Sequence, residues 1–317
     1  MCCPHSLLRV KLGEESNLMR KYAIPNMRLG ATSFLLHETY VPAVRFAAER
    51  CDDVALLLVE PGERNEYLAT PGEIAEIGRI IAGEGVTLHV HLPTDADFDT
   101  REGARAMIGK IRRVAELTGP LDPHSFVLHV DFPSLHGTGG EPSAEQQEWT
   151  AEALREIAAC LPAPERLAVE NLETYAPSFW DRWLAGTPYS RCLDVGHIWK
   201  DSGDPAPVLA AWLPRVRVIH LHGLEPRGSE ADAAKPQGQQ GAPEKQAERN
   251  LARLFGPRPR DHKSLRIMPP EFVDDVMHPL WKTGFSGVLN LEVFSVEDFT
   301  ASHAVLMQSW ERYAASS

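Results

Sequence analysis

The heptapeptide Arg191–His197, R-C-L-D-V-G-H, sets a carboxylate and an imidazole three residues apart. It reads as a short strand that runs out at Asp194, then a glycine turn that brings His197 back toward the carboxylate. In this way one loop offers two metal ligands, or an acid and its partner. Other apolar runs finish alike. Leu88–His91 precedes Leu92 and Pro93, Phe126–His129 leads to Asp131, and Leu167–Glu170 leads to Asn171. Val218–His222 and Val288–Glu292 complete the series. Each run has the branched apolar content and turn-forming neighbours of a strand, and each ends in a residue that binds hard or borderline metals.

Side chains so far apart in sequence meet only if a fold gathers the ends of many strands. Apolar runs predict strands over 28–34, 54–60, 86–92, 125–131, 167–170, 189–194, 216–222 and 287–292. Helical periodicity predicts helices over 41–50, 71–82, 101–117, 144–160, 177–184, 205–213, 270–281 and 296–313. Thr70 is the expected N-cap of the second helix, with Pro71 at its first position. Strands that alternate with helices make an α/β protein with a parallel sheet, and this alternation is the full count of a (β/α)8 TIM barrel. In that fold the C-terminal strand ends converge on one face, where chemistry is assembled.

The chain has 317 residues, 43% of them apolar, enough for one large barrel over 27–317. Residues 1–26 are expected to be an appended, flexible arm, without the hydrophobic stretch of a signal peptide. The insert at 225–260, after the seventh strand, is rich in glycine, proline and glutamine and is expected to be mobile. A lid over the catalytic face is one role for it.

The formal charge of -12 gives no general attraction to nucleic acid or anionic membranes. Five cysteines, widely scattered, do not form a disulfide framework, and no apolar run reaches the length of a membrane span. Cys160 and Cys192 fall at apolar positions and read as buried free thiols. A cytoplasmic protein is the expectation.

The candidate ligands are His91, His129, Glu170, Asp194, His197, His220 and Glu292, extended by Asp261, His262 and His222. Mixed imidazoles and carboxylates suit divalent zinc first, with manganese or iron as alternatives. Glu170 and Glu292 are placed to bridge two ions and to act as the catalytic carboxylates.

These residues give the chain a resemblance to the xylose isomerase-like barrel superfamily, which includes sugar isomerases, epimerases and endonuclease IV-type phosphodiesterases. H-L-P at 91–93, His129, Glu170, D-V-G-H at 194–197, His220 and Glu292 match its pattern in order. In three-metal members, residues like His91, His129 and Glu170 hold one ion. Glu170, Asp194, His220 and Glu292 would hold a second, and His197, Asp261 and His262 a third. The segments L-H-V-H-L-P-T-D at 88–95, V-E-N-L-E at 169–173 and D-H-K-S-L at 261–265 look closest to the cobamide-remodelling phosphodiesterases (CbiR). That resemblance implies a zinc-dependent phosphodiesterase, a hydrolase that cuts the nucleotide loop of a cobamide in cobalamin salvage. Its partner would be a cobamide or another small phosphodiester; Lys263 reads as a solvated lysine, with a point charge on the phosphate as the alternative. The rival expectations are a sugar or sugar-phosphate isomerase or epimerase, in which Glu170 and Glu292 move protons, and a noncatalytic corrinoid-binding barrel.

Overall fold

A computed structural model describes residues 22–58, 68–226, 251, 254–256 and 259–316. Its parallel strands are β1 (Arg28–Thr32), β2 (Asp53–Leu57), β3 (Thr87–His91), β4 (Phe126–His129), β5 (Leu167–Glu170), β6 (Ser190–Asp194) and β7 (Val216–Leu221). An antiparallel pair, β8 (Gly223–Glu225) and β9 (Arg260–Lys263), intervenes before the last parallel strand, β10 (Val288–Leu291). The parallel strands close into a barrel in the order β1-β10-β7-β6-β5-β4-β3-β2. This is the expected (β/α)8 TIM barrel.

The helices are α1 (Tyr40–Ala48), α2 (Pro71–Glu84), α3 (Arg101–Thr118), α4 (Ala144–Ala159), α5 (Pro177–Leu184), α6 (Val195–Lys200), α7 (Pro205–Trp212), α8 (Pro270–Thr283) and α9 (Val296–Ser316). Local chemistry sets their ends. Thr70 accepts from the backbone of Glu73 while the Glu73 side chain returns to the backbone of Thr70, a capping box in front of Pro71. The helix stops at Gly85, whose φ of 64° is a left-handed cap. Ser143 and Gln146 cap α4 in the same reciprocal way. Ile74, Ile77 and Ile80 turn the apolar face of α2 inward. Full burial of such a side chain contributes roughly 1.5–3 kcal/mol, and truncating Ile77 to Ala would cost about 2–5 kcal/mol.

The barrel interior is divided. On the β4–β7 side Val127, Ala168, Cys192 and Val218 form a small apolar cluster of their own. On the other side stand Gly30, Asp53, His89 and Asn290, with Asp53, His89 and Asn290 wholly buried. A strand alternates its faces, so β3 sends both His89 and His91 inward and β7 sends His220, with His222 buried just beyond its end.

Two elements were not foreseen. The expected glycine turn after Asp194 is the first turn of α6, and the insert is entered and left through the β8–β9 pair. Glu225 and Arg260 form an ion pair at its ends, 3.2 Å apart. Most of the insert, the lid role, the second-strand residues 59–60 and the arm as far as residue 21 lie outside the described residues. Tyr22 and Ile24, assigned by sequence to the arm, are buried against the barrel. Cys192 is buried and free as expected, whereas Cys160 is only partly buried. Among the described residues no helix is long and apolar enough to cross a membrane.

Candidate metal centre

The C-terminal strand ends bring most of the expected residues to one mouth. His220 Nδ1 on β7 is the point of convergence. It lies 3.0 Å from Glu170 Oε1, 3.1 Å from Glu292 Oε2 and 3.9 Å from Asp194 Oδ2. Register explains the grouping, since Asp194 pairs with His220 across β6–β7 and Glu170 pairs with His129 across β4–β5. On the far side, Glu170 Oε2 meets His129 Nε2 at 3.0 Å and His91 Nε2 at 3.3 Å. Glu170, Asp194, His220 and Glu292 are all buried.

Several imidazoles are held with one nitrogen ready. His91 places Nδ1 2.9 Å from the Leu92 carbonyl, and His197 places Nδ1 2.9 Å from the Asn171 carbonyl. A ring that donates from Nδ1 leaves Nε2 as a lone pair, the arrangement of a metal-binding histidine with an oriented back side. Asp194 serves twice. Its Oδ1 accepts from the backbone N of His197 at 2.7 Å and so caps α6, while Oδ2 is buried with no hydrogen-bond partner among the described residues. An orphaned carboxylate oxygen beside two further buried carboxylates fits a bound cation, because buried anions are costly without a counter-charge.

Without a metal, protons on the imidazoles supply that charge. Burial opposes ionisation of Glu170, but His220 and His129 hold it well below the usual carboxylate range. Burial likewise opposes ionisation of Glu292, and His220 and His262 overcome it. Burial disfavours charge on His197, yet Asp194 and Glu173 push it up to about 9. His262 is pushed up to about 10 by Asp261 and Glu292 against the effect of burial.

The expected third set is only partly assembled. His262, with a left-handed φ of 53°, reaches Glu292 at 3.5 Å. Asp261 turns to Lys200 at 2.5 Å, and Lys200 also binds Glu173 at 2.7 Å. The Lys200 ammonium engages Oδ2, while Asp261 Oδ1 faces His262 Nδ1 at 3.4 Å. Glu173 and Lys200 were missed as site residues, although Glu173 lies three residues after Glu170 and Lys200 three after His197, the spacing of one helical turn. His222, kept at the margin of the expected set, faces Asp194 with Nε2 at 3.3 Å from Oδ1 and stacks on His262. Gly196 permits this. A Cβ there would fall 2.0–2.4 Å from the His222 ring.

Beside these groups is a cavity of about 340 Å³, with Phe34, Leu57, Leu58, Leu92 and Phe294 opposite His91, His129, Glu170 and Glu292. Its size is at the small end for ligand pockets. Among the described residues neither lysine nor arginine lines it. Lys263 is in register with Gly223 on the β8–β9 pair and does not line this cavity.

Comparison with known proteins agrees with this fold. The fold superposes on a D-tagatose 3-epimerase-like protein with a TM-score of 0.64 at 16% identity, covering 92% of this chain and 99% of that one. A xylose isomerase domain protein from Planctomyces limnophilus gives 0.61 at 11% identity, covering 91% and 98%. An L-ribulose 3-epimerase gives 0.58 at 14% identity, covering 92% and 98%. A sequence search of curated proteins returns no match. The expectation of a cobamide phosphodiesterase, with its hydrolase chemistry and corrinoid partner, is overturned by these neighbours, which are named as sugar epimerases and a xylose isomerase domain protein. The lack of lysine or arginine among the described lining residues is in keeping with that correction. The sequence matches the model of the family described as xylose isomerase-like TIM barrel over residues 45–313. The chain belongs to that family.

Proposed function

We propose that the protein is a divalent-metal-dependent sugar epimerase or isomerase acting on a small unphosphorylated sugar. The observation that carries this reading is the pair Glu170 and Glu292, both within about 3 Å of His220 Nδ1 on the wall of a monosaccharide-sized cavity. Glu170, Asp194, His220 and Glu292 would hold the cation, with zinc or manganese suited to this mixture of carboxylates and imidazole. When bound, such an ion polarises a carbonyl and stabilises the negative charge that develops beside it.

The chain's own groups do the rest. One glutamate takes the proton from the carbon next to the carbonyl, and the other returns a proton from the opposite face, which inverts that carbon. His91 and His129 hold Glu170 in place through Oε2 and leave Oε1 toward His220. Phe34 and Phe294, with ring centroids 6.5 Å apart, cover the apolar side of the cavity and exclude water. The absence of basic lining residues among those described favours a free sugar over its phosphate. Cys160 and Cys192, which form no disulfide among the described residues, suit a reducing, cytoplasmic setting.

The test is to incubate manganese-loaded protein with a panel of ketohexoses and ketopentoses in deuterium oxide. The reading requires an epimer or isomer carrying solvent deuterium at the reacting carbon. Failure of every sugar to exchange, with the cation bound, would remove it.

A further inference from the structure

The polar half of the barrel interior is unused by the chemistry above, and it lies directly beneath His220. Asp53 is fixed by three neighbours. Its Oδ2 accepts from Thr87 Oγ1 at 2.6 Å and from His124 Nε2 at 2.9 Å, and its Oδ1 faces His89 Nδ1 at 2.5 Å. A carboxylate can only accept, so it draws the proton of His89 to Nδ1 and leaves Nε2 with a lone pair. That nitrogen is buried and has no partner among the described residues.

His220 presents the complementary atom. If Nδ1 faces the cation, as the proposed function holds, the ring proton must sit on Nε2, which is also buried and without a partner among the described residues. The His89 and His220 ring centroids are 6.2 Å apart, beyond a direct hydrogen bond between the rings and within the span of one shared water. Asn290 pairs with His220 across β7–β10, and neither its Oδ1 nor its Nδ2 has a partner among the described residues. Gly30 keeps this place open. A Cβ there would stand 3.2 Å from Asn290 Oδ1 and 3.3 Å from Asp53 Oδ1.

We infer that Asp53, His89 and Asn290 are positioning residues that hold one buried water beneath the metal centre and through it fix the Nε2–H form of His220. Asp53 sets the tautomer of His89. His89 Nε2 accepts from the water, the water accepts from His220 Nε2–H, and the Asn290 oxygen takes the water's second proton. The Cys192 thiol also lies beside His220, and the variants below leave it in place, so the changes they cause belong to the water's partners. The inference rests on the assignment of His220 to the cation but not on the identity of the sugar.

The experiment compares the wild-type protein with His89→Leu, His89→Gln and Asn290→Leu. Manganese affinity is read from free-ion paramagnetic resonance, and the His220 ring proton from ¹⁵N-edited spectra of the zinc-loaded protein. The wild type should show a protected, downfield Nε2–H. His89→Leu and Asn290→Leu should lose that signal and bind manganese about tenfold or more weakly, the usual effect of removing a ligand's outer partner. His89→Gln keeps an acceptor and should recover most of the affinity. Should His89→Leu fail to fold, Asn290→Leu, on β10 beside the strand of His220, carries the test alone. An unchanged ring proton or an unchanged affinity in the leucine variants overturns the inference, as would a proton found on His220 Nδ1 in the loaded wild type. Sugar turnover is not part of the readout, so an inactive wild type that passes these tests would refute the epimerase reading alone.

Discussion

Replacing Gly196 with alanine sets two opposed effects against each other. The residue lies in α6, where alanine in place of glycine ordinarily gains about 1 kcal/mol. Here the added methyl would sit 2.0 Å from His222 Cε1, 2.3 Å from Nε2 and 2.4 Å from Nδ1. The ring has little room to retreat, being wholly buried and stacked on His262 at 4.3 Å. Overpacking of this kind costs about 1–3 kcal/mol, and contacts this close belong at the upper end, so a net loss of about 2 kcal/mol is expected. For 317 residues at about 2.1 cal/mol/K each, that lowers Tm by roughly 3 °C. His222 also faces Asp194, so manganese binding should weaken as well. Gly109→Ala in α3 is the control, because nothing lies within 4 Å of its Cβ position, and it should raise Tm slightly. Thermal unfolding and manganese titration read both outcomes. A Gly196→Ala protein that melts at or above the wild type with unaltered manganese affinity would refute the account of the D-V-G-H turn.

Glu170→Gln and Glu292→Gln should each keep the fold and abolish epimerisation, with a loss of at least about a thousandfold in kcat, since each removes a proton-transfer group and an anionic ligand together. A mass-spectrometric assay of solvent deuterium in the sugar decides this, and retention of exchange in either variant would exclude it from proton transfer. The metal-free protein should lose stability in alkali. The His197 imidazole is raised from 6.5 to about 9 in the folded chain, so its contribution is complete below pH 6.5 and disappears as the pH climbs through 9. Urea unfolding of chelator-treated protein at several pH values measures that loss, and a flat profile between these limits contradicts it. Cation binding at pH 7 should release a proton from His220, whose charge burial opposes but which its neighbours, Glu292 and Glu170 among them, hold protonated well above the usual imidazole range; the release is visible as a buffer-dependent binding enthalpy, and equal enthalpies in all buffers would count against it. Lys200→Met should free Asp261 and Glu173 to take up an additional cation; an unchanged stoichiometry in equilibrium dialysis would argue against the lysine as its substitute.

The fold was legible because each strand carries its own signal. The apolar runs that end in His91, His129, Glu170, Asp194, His220 and Glu292 are buried on both sides, and burial of both faces writes itself into sequence as near-continuous branched residues. The site followed from the fold, since a barrel gathers those ends. What stayed hidden depends on contacts between distant segments. Gly196 reads as a turn glycine, and only the approach of His222 from β7 reveals why a side chain is forbidden there. Lys200 reads as a solvated helix terminus until Asp261 is seen to close on it from β9. The short motifs that resemble phosphodiesterases lie at the strand ends and carry little about the cavity wall formed by Phe34, Leu58 and Phe294.

Anomalous diffraction from a manganese-loaded crystal tests the central claim most directly. The account predicts a peak bounded by carboxylate oxygens of Glu170, Asp194 and Glu292 and by His220 Nδ1, each at about 2.0–2.3 Å. Full occupancy elsewhere, or the four side chains remaining as they are with no ion among them, would contradict it.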